Sequence, residues 1–149
     1  NKLNLLIEAE NKILKIIDTE ANDPDLWRAY GICLMGFGRY YSDPDYLEMA
    51  IEKLQYGLSL DRTDAELWHA LAVAHKLLAD ITDDPEIVER ASRFFIRAID
   101  LKPACPSFIY DAACALLHYS ELTDSLPALE QSIALFETLL HNQRNVLLH

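Results

Sequence analysis

Apolar residues along this chain fall at spacings of three and four, the signature of helices that bury one face, and no stretch shows the strict alternation of a half-buried strand. Residues Leu3–Thr19 carry Leu6, Ile7, Ile13, Leu14, Ile16 and Ile17 in this pattern and predict a first helix. Asp23-Pro24 predicts the next start, because the aspartate accepts from free first-turn amides and proline occupies a position that needs no donor. That helix is expected to run to about Phe37, where Gly36 and Gly38 loosen and end it. A loop leads to Asp43-Pro44 and a helix ending near Leu60. Asp64 opens another, which turns near Asp83, and Asp84-Pro85 restarts the chain as far as Leu101-Lys102-Pro103. A last pair starts near Cys105-Pro106, turns near Thr123–Ser125 and finishes near His141.

The same pattern recurs at a constant shift of 41 residues. Leu26-Trp27 falls on Leu67-Trp68 and then on Phe108-Ile109, Gly31 on Ala72 and Ala113, Ala50 on Ala91 and Ser132, Leu54 on Phe95 and Phe136. The first helix maps onto the second half of this unit, Leu6 onto Leu47 and Ile13 onto Leu54, so the chain opens halfway through a repeat. A fixed period of roughly 20–50 residues marks stacked repeats, in which each helical hairpin covers the apolar face of the next. The predicted order is B-AB-AB-AB. It comprises a half repeat at 1–20, repeats at 23–61, 64–102 and 105–141, and residues 142–149 as a tail or the start of a further helix.

The unit resembles the tetratricopeptide repeat, W-x2-L-G-x2-Y followed by A-x3-F-x2-A and Pro. Repeat one supplies Trp27, Tyr30, Gly31, Leu34, Ala50, Leu54 and Gly57. Repeat two supplies Trp68, Leu71, Ala72, His75, Ala91, Phe95, Ala98 and Pro103, and repeat three a weaker set, Ile109, Ala112, Ala113, Leu116, Ser132, Phe136 and Leu139. The period exceeds the family's 34 residues, and the extra residues fall between Gly38 and Leu47, predicting a lengthened A–B loop in every repeat. The resemblance implies an all-α, right-handed solenoid of about seven helices.

It also implies a groove. The helix-A face opposite the Trp and Gly/Ala positions carries Asp25, Arg28, Ile32 and Met35, then Glu66, His69, Val73 and Lys76, then Ser107, Tyr110, Cys114 and Leu117. In tetratricopeptide proteins the matching positions hold a partner segment. Here an apolar floor of Ile32, Met35, Val73 and Leu117 would receive a peptide or helix, with Arg28, His69, Lys76 and Tyr110 making directed contacts. Members of the family that capture the C-terminal carboxylate of chaperones use Lys, Asn and Arg at positions occupied here by Arg28, Ile32, Ala70, Ser107 and Asp111; capture of that kind is not expected.

Charge narrows the partner. The chain carries a net charge of −11, which disfavours nucleic acid and anionic membranes and suits a basic or apolar protein segment. Acidic residues gather at the expected A–B loops, among them Asp43, Asp45, Asp83, Asp84, Glu86 and Asp124, chiefly as helix caps. No apolar run reaches the roughly 18 residues a spanning helix needs, and no basic-then-apolar leader precedes the pattern. The first residue is Asn rather than Met, so the original N-terminus is expected to lie elsewhere. Cys33, Cys105 and Cys114, without CxxC spacing, read as reduced thiols of a cytoplasmic protein.

Reactive constellations are missing. Gly31–Gly38 lacks the Lys-Ser/Thr ending of a phosphate loop, the acidic loops lack calcium spacing, and His69 and His75 lie on different helix faces. No enzyme, cofactor or metal is expected. The functions that follow are a protein-interaction module, a small acidic chaperone for export substrates, or a subunit of a larger assembly, including a homo-oligomer, joined through its terminal helices.

Overall fold

The computed structural model describes residues 1–148, which form seven helices and no strand. They are α1 (Lys2–Ile17), α2 (Pro24–Tyr41), α3 (Pro44–Leu60), α4 (Ala65–Thr82), α5 (Pro85–Leu101), α6 (Pro106–Thr123) and α7 (Leu126–Leu147). Consecutive helices pack on one another, and α2 also lies against α4. This is a solenoid of helical hairpins preceded by a lone helix. No helix among the described residues is long and apolar enough to cross a membrane.

Caps set the starts. Asp23, Asp43, Asp64 and Asp84 each accept, at 2.9 Å, from the amide two residues on, which satisfies a first-turn donor that has no partner within the helix. Three of these helices also place proline in the first turn. Cys105 begins α6 without a side-chain cap.

The lengthened A–B loops do not exist. Helix A and helix B are joined by two residues, Ser42-Asp43, Asp83-Asp84 and Asp124-Ser125, and the first of each pair is left-handed, with φ of 51°, 52° and 53°. A small polar residue tolerates that conformation, and one such residue stops a helix without spending chain length. The additional residues extend the helices instead: α2, α4 and α6 each run to 18 residues. Gly36 and Gly38, expected to end the first A helix, lie within it. A Cβ at Gly36 would come within 2.6 Å of Leu6 Cδ2, and one at Gly38 within 2.6 Å of Leu47 Cδ2. Glycine costs about 1 kcal/mol against alanine in a helix, a penalty that close packing of two leucines offsets. Residues 142–147, read as a tail or the start of a further helix, prolong α7.

The core follows the register. Leu34, Leu47, Leu54, Leu67, Leu71 and Ala74 fill the space among α2, α3 and α4, and Ala72, Ala91, Phe95, Ala112 and Ala115 that among α4, α5 and α6. Gly31 admits Leu54, whose Cγ would lie 2.5 Å from a Cβ there. The two tryptophans occupy like surroundings. Trp27 Nε1–H donates to the Ala21 carbonyl at 2.7 Å and Trp68 Nε1–H to that of Arg62 at 2.9 Å, each fastening the link from the preceding helix. Tyr56 meets the Trp27 ring edge-on, and Arg97, its equivalent one period later, sits over the Trp68 ring.

Candidate functional site

Three A helices present the positions predicted to form a groove, and their surroundings differ along it. At the N-terminal end, Arg28, Ile32 and Met35 of α2 and Glu66, His69 and Val73 of α4 come together around a cleft of about 430 Å³. Lys2 and Leu6 of α1, Gly36 and Arg39 of α2, and Ala70 and Leu77 of α4 complete it. The floor is apolar: Met35 and Ala70 are buried, Val73, Leu77 and Leu6 half-buried, and Ile32 remains 51% exposed.

The polar residues of this cleft divide into engaged and available. Glu66 accepts from Lys102 Nζ at 3.0 Å. Arg28 reaches only the exposed Asp25 of its own helix, 3.3 Å away. Arg39 and Lys2 make no ion pair among the described residues. The charge around the opening is therefore positive in an acidic chain, the reverse of what net charge alone implies about the partner.

Farther along, between α4 and α6, the same face is closed by contacts internal to the fold. His69 Nε2–H donates to Asp111 Oδ2 at 2.7 Å, and its ring stacks on Phe108 with centroids 4.4 Å apart. Lys76 pairs with Asp80 one turn on, and His118 of α6 brings Nδ1 to 3.9 Å from the same carboxylate, buried and without a hydrogen-bond partner. Two of the side chains predicted to contact a partner, His69 and Lys76, are thus occupied in joining or bracing helices. Tyr110 is 56% exposed against the edge of Phe136, Ser107 lies 3.2 Å from the Cys105 thiol, and Cys114 is half-buried. Leu117 lines a separate hollow of about 320 Å³ at the α6–α7 turn. These four residues and Asp25 lie outside the cleft.

Sequence reasoning missed Lys2, Leu6, Gly36, Arg39 and Leu77, and placed Ala70 in the groove only as a position matching the family's carboxylate-binding residues. Arg39 had a signal, since it continues the three-and-four spacing of Arg28, Ile32 and Met35 by one turn; ending α2 at Phe37 hid it. Lys2 and Leu6 come from α1, which the register maps onto helix B, whereas the predicted groove drew on the A helices alone.

His75 and Cys33 are packed into the fold. His75 is buried, donates Nδ1–H to the Leu71 carbonyl at 2.9 Å and meets Phe94 edge-on, and burial holds its pKa below the usual histidine value. Cys33 donates to the Leu6 carbonyl at 3.4 Å, and burial raises its thiol pKa. Cys105 is lowered by the Ser107 hydroxyl, yet no base stands beside it. Among the described residues no three His, Cys, Asp or Glu side chains converge to hold a metal ion.

No protein-family model matches this chain, and no curated protein matches it. Solved structures do. A thermophilic tetratricopeptide-repeat protein of Thermus thermophilus, TTC0263, superposes with a TM-score of 0.66 at 16% identity, over 93% of this chain and 75% of that one. MamA from Desulfovibrio magneticus RS-1, residues 41 to the end, superposes with a TM-score of 0.52 at 15% identity, over 97% of each chain. A MamA RS-1 double mutant gives the same TM-score and identity over 97% and 96%. With the 41-residue register, the left-handed turns and the matched tryptophans, these likenesses establish a tetratricopeptide-like fold.

Proposed function

We propose that this chain is a non-catalytic protein-interaction module that holds a segment of a partner protein against its A helices, seated in the cleft of α1, α2 and α4. The carrying observation is the cleft itself, an apolar floor with Ile32 standing half out of it. Isolated exposed apolar side chains are ordinary, but a concave floor ringed by a few charged groups is the usual form of a recognition site. The tetratricopeptide-like fold supports a protein partner.

The experiment is affinity capture from native extract with the chain and with an Ile32→Asp/Val73→Asp variant, followed by mass spectrometry. Partners held by the cleft disappear from the variant while helical circular dichroism is retained. An unchanged set of captured proteins would remove the cleft from consideration.

The ends of the stack support a second reading, assembly into a larger structure. In α7, Ile133, Leu140, Val146 and Leu147 are 50%, 58%, 76% and 86% exposed, and in α1 Leu5 is 65% exposed. Sedimentation tests it: a mass that rises with concentration, and falls back for Leu140→Asp, favours the ends over the cleft.

A further inference from the structure

The cleft carries more than a shape, because its charge opposes that of the whole molecule. We propose, resting on the groove reading above, that it takes an acidic, apolar segment: bulky aliphatic side chains on Ile32 and Val73, with aspartate or glutamate side chains paired to Lys2, Arg28 and Arg39.

Three cations and one carboxylate, Glu66, line the opening; Glu66 is matched by Lys102 and Arg28 by the exposed Asp25, which leaves Lys2 and Arg39 without an ion pair among the described residues. Arg39 lies in the last turn of α2, where a cation also complements the helix dipole, and it points no bond at any acid among the described residues. Arg28 and Arg39 are three turns apart on one helix, on either side of Ile32 and Met35. A ligand lying along α2 would meet a cation, an apolar stretch, then a second cation, with Lys2 facing it from α1. Lysine or arginine in that segment would enter a ring of like charge over a low-dielectric floor.

The net charge of −11 does not decide against this occupant. At physiological ionic strength exposed charges are screened over about 8 Å, so nearby side chains outweigh remote carboxylates once the segment is seated. The long-range field slows its approach; the local cations hold it.

The test is a titration of the 149-residue chain with short fluorescent peptides, read by anisotropy. The probes are an amphipathic Leu/Glu peptide blocked at both ends, its Leu/Lys counterpart, and the Leu/Glu peptide with a free C-terminus. The expected result is that the blocked Leu/Glu peptide binds at least about tenfold tighter than the Leu/Lys peptide, weakens with added salt, and loses about tenfold in affinity on K2Q/R39Q. Both substituted residues are exposed, and retained helical dichroism shows that the variant is folded.

Equal or tighter binding of the Leu/Lys peptide, lost in Ile32→Asp/Val73→Asp, overturns the acidic partner and leaves the groove standing. Leu/Glu binding that survives Ile32→Asp/Val73→Asp overturns both readings. Binding only by the free C-terminus transfers the cleft to terminal-carboxylate capture, and concentration-dependent mass abolished by Ile32→Asp transfers it to a second copy; either result overturns the proposal.

Discussion

The two ends of the A-helix face descend from one repeating pattern and have reached opposite solutions. Between α2 and α4 the positions on α2 are apolar or cationic, and among the described residues no side-chain bond crosses from them to α4, so a cleft stays open. Between α4 and α6 they are His69 with Asp111 and Asp80 with Lys76 and His118, so the surface closes on itself. A repeat fixes where side chains point, whereas the identity of each side chain fixes whether it is available. An open cleft and a braced seam are then alternative outcomes of one geometry.

The largest expected effect tests the bracing end. Phe95 is buried between the second and third hairpins, and Phe95→Ala is expected to lower unfolding free energy by about 3–5 kcal/mol in urea titration. A loss under about 1 kcal/mol would mean that the hairpins are not stacked through this residue.

At the open end, Ile32→Asp should weaken partner capture by at least about tenfold, whereas Tyr110→Asp at the closed end should change it less than about threefold. The reverse order would invert the comparison. Burial of neutral His75 makes stability depend on pH. Its folded pKa lies below the unfolded value, so the unfolded chain takes up the proton first, and stability falls as pH drops through about 6.5. The slope has a ceiling of about 1.4 kcal/mol per pH unit for one group, and His75→Gln should flatten it in urea midpoints measured from about pH 7.5 to 5.5.

The half-exposed brace is worth less. A double-mutant cycle on His69→Ala and Asp111→Ala should give a coupling of about 0.5–1 kcal/mol. Smallest, and opposite in sign, Ser42→Gly relieves a left-handed serine and should stabilise by about 0.5 kcal/mol in thermal unfolding.

Much of the fold was legible because it is periodic. Trp27 and Trp68 share their indole bonds, and aspartates cap the helices where Asp-Pro or a lone Asp predicts a start. The A–B connection was obscured by two glycines, whose purpose is to admit Leu6 and Leu47 rather than to end a helix; a close approach and a helix stop leave the same residue in the sequence. Half of the cleft was legible as face positions of α2 and α4. Of the rest, Gly36 and Arg39 were hidden by a helix end placed too early and Lys2 and Leu6 by a groove drawn from the A helices alone; the closure between α4 and α6 was hidden because the His69–Asp111 bond joins residues 42 apart, one step out of register.

The indole bonds also bear on how the stack yields. Within a hairpin two residues leave no slack, so any bending falls on the links between hairpins. Trp27 and Trp68 rivet two of those links to the helix that follows, but Ile109 stands at the third matching position and has no side-chain N–H to give. At that third link Lys102 takes over part of the task, its Nζ bonded to Glu66 at 3.0 Å and lying 5.9 Å from the Phe108 ring centroid, so the final hairpin is tied by charge, which added salt weakens, rather than by an indole.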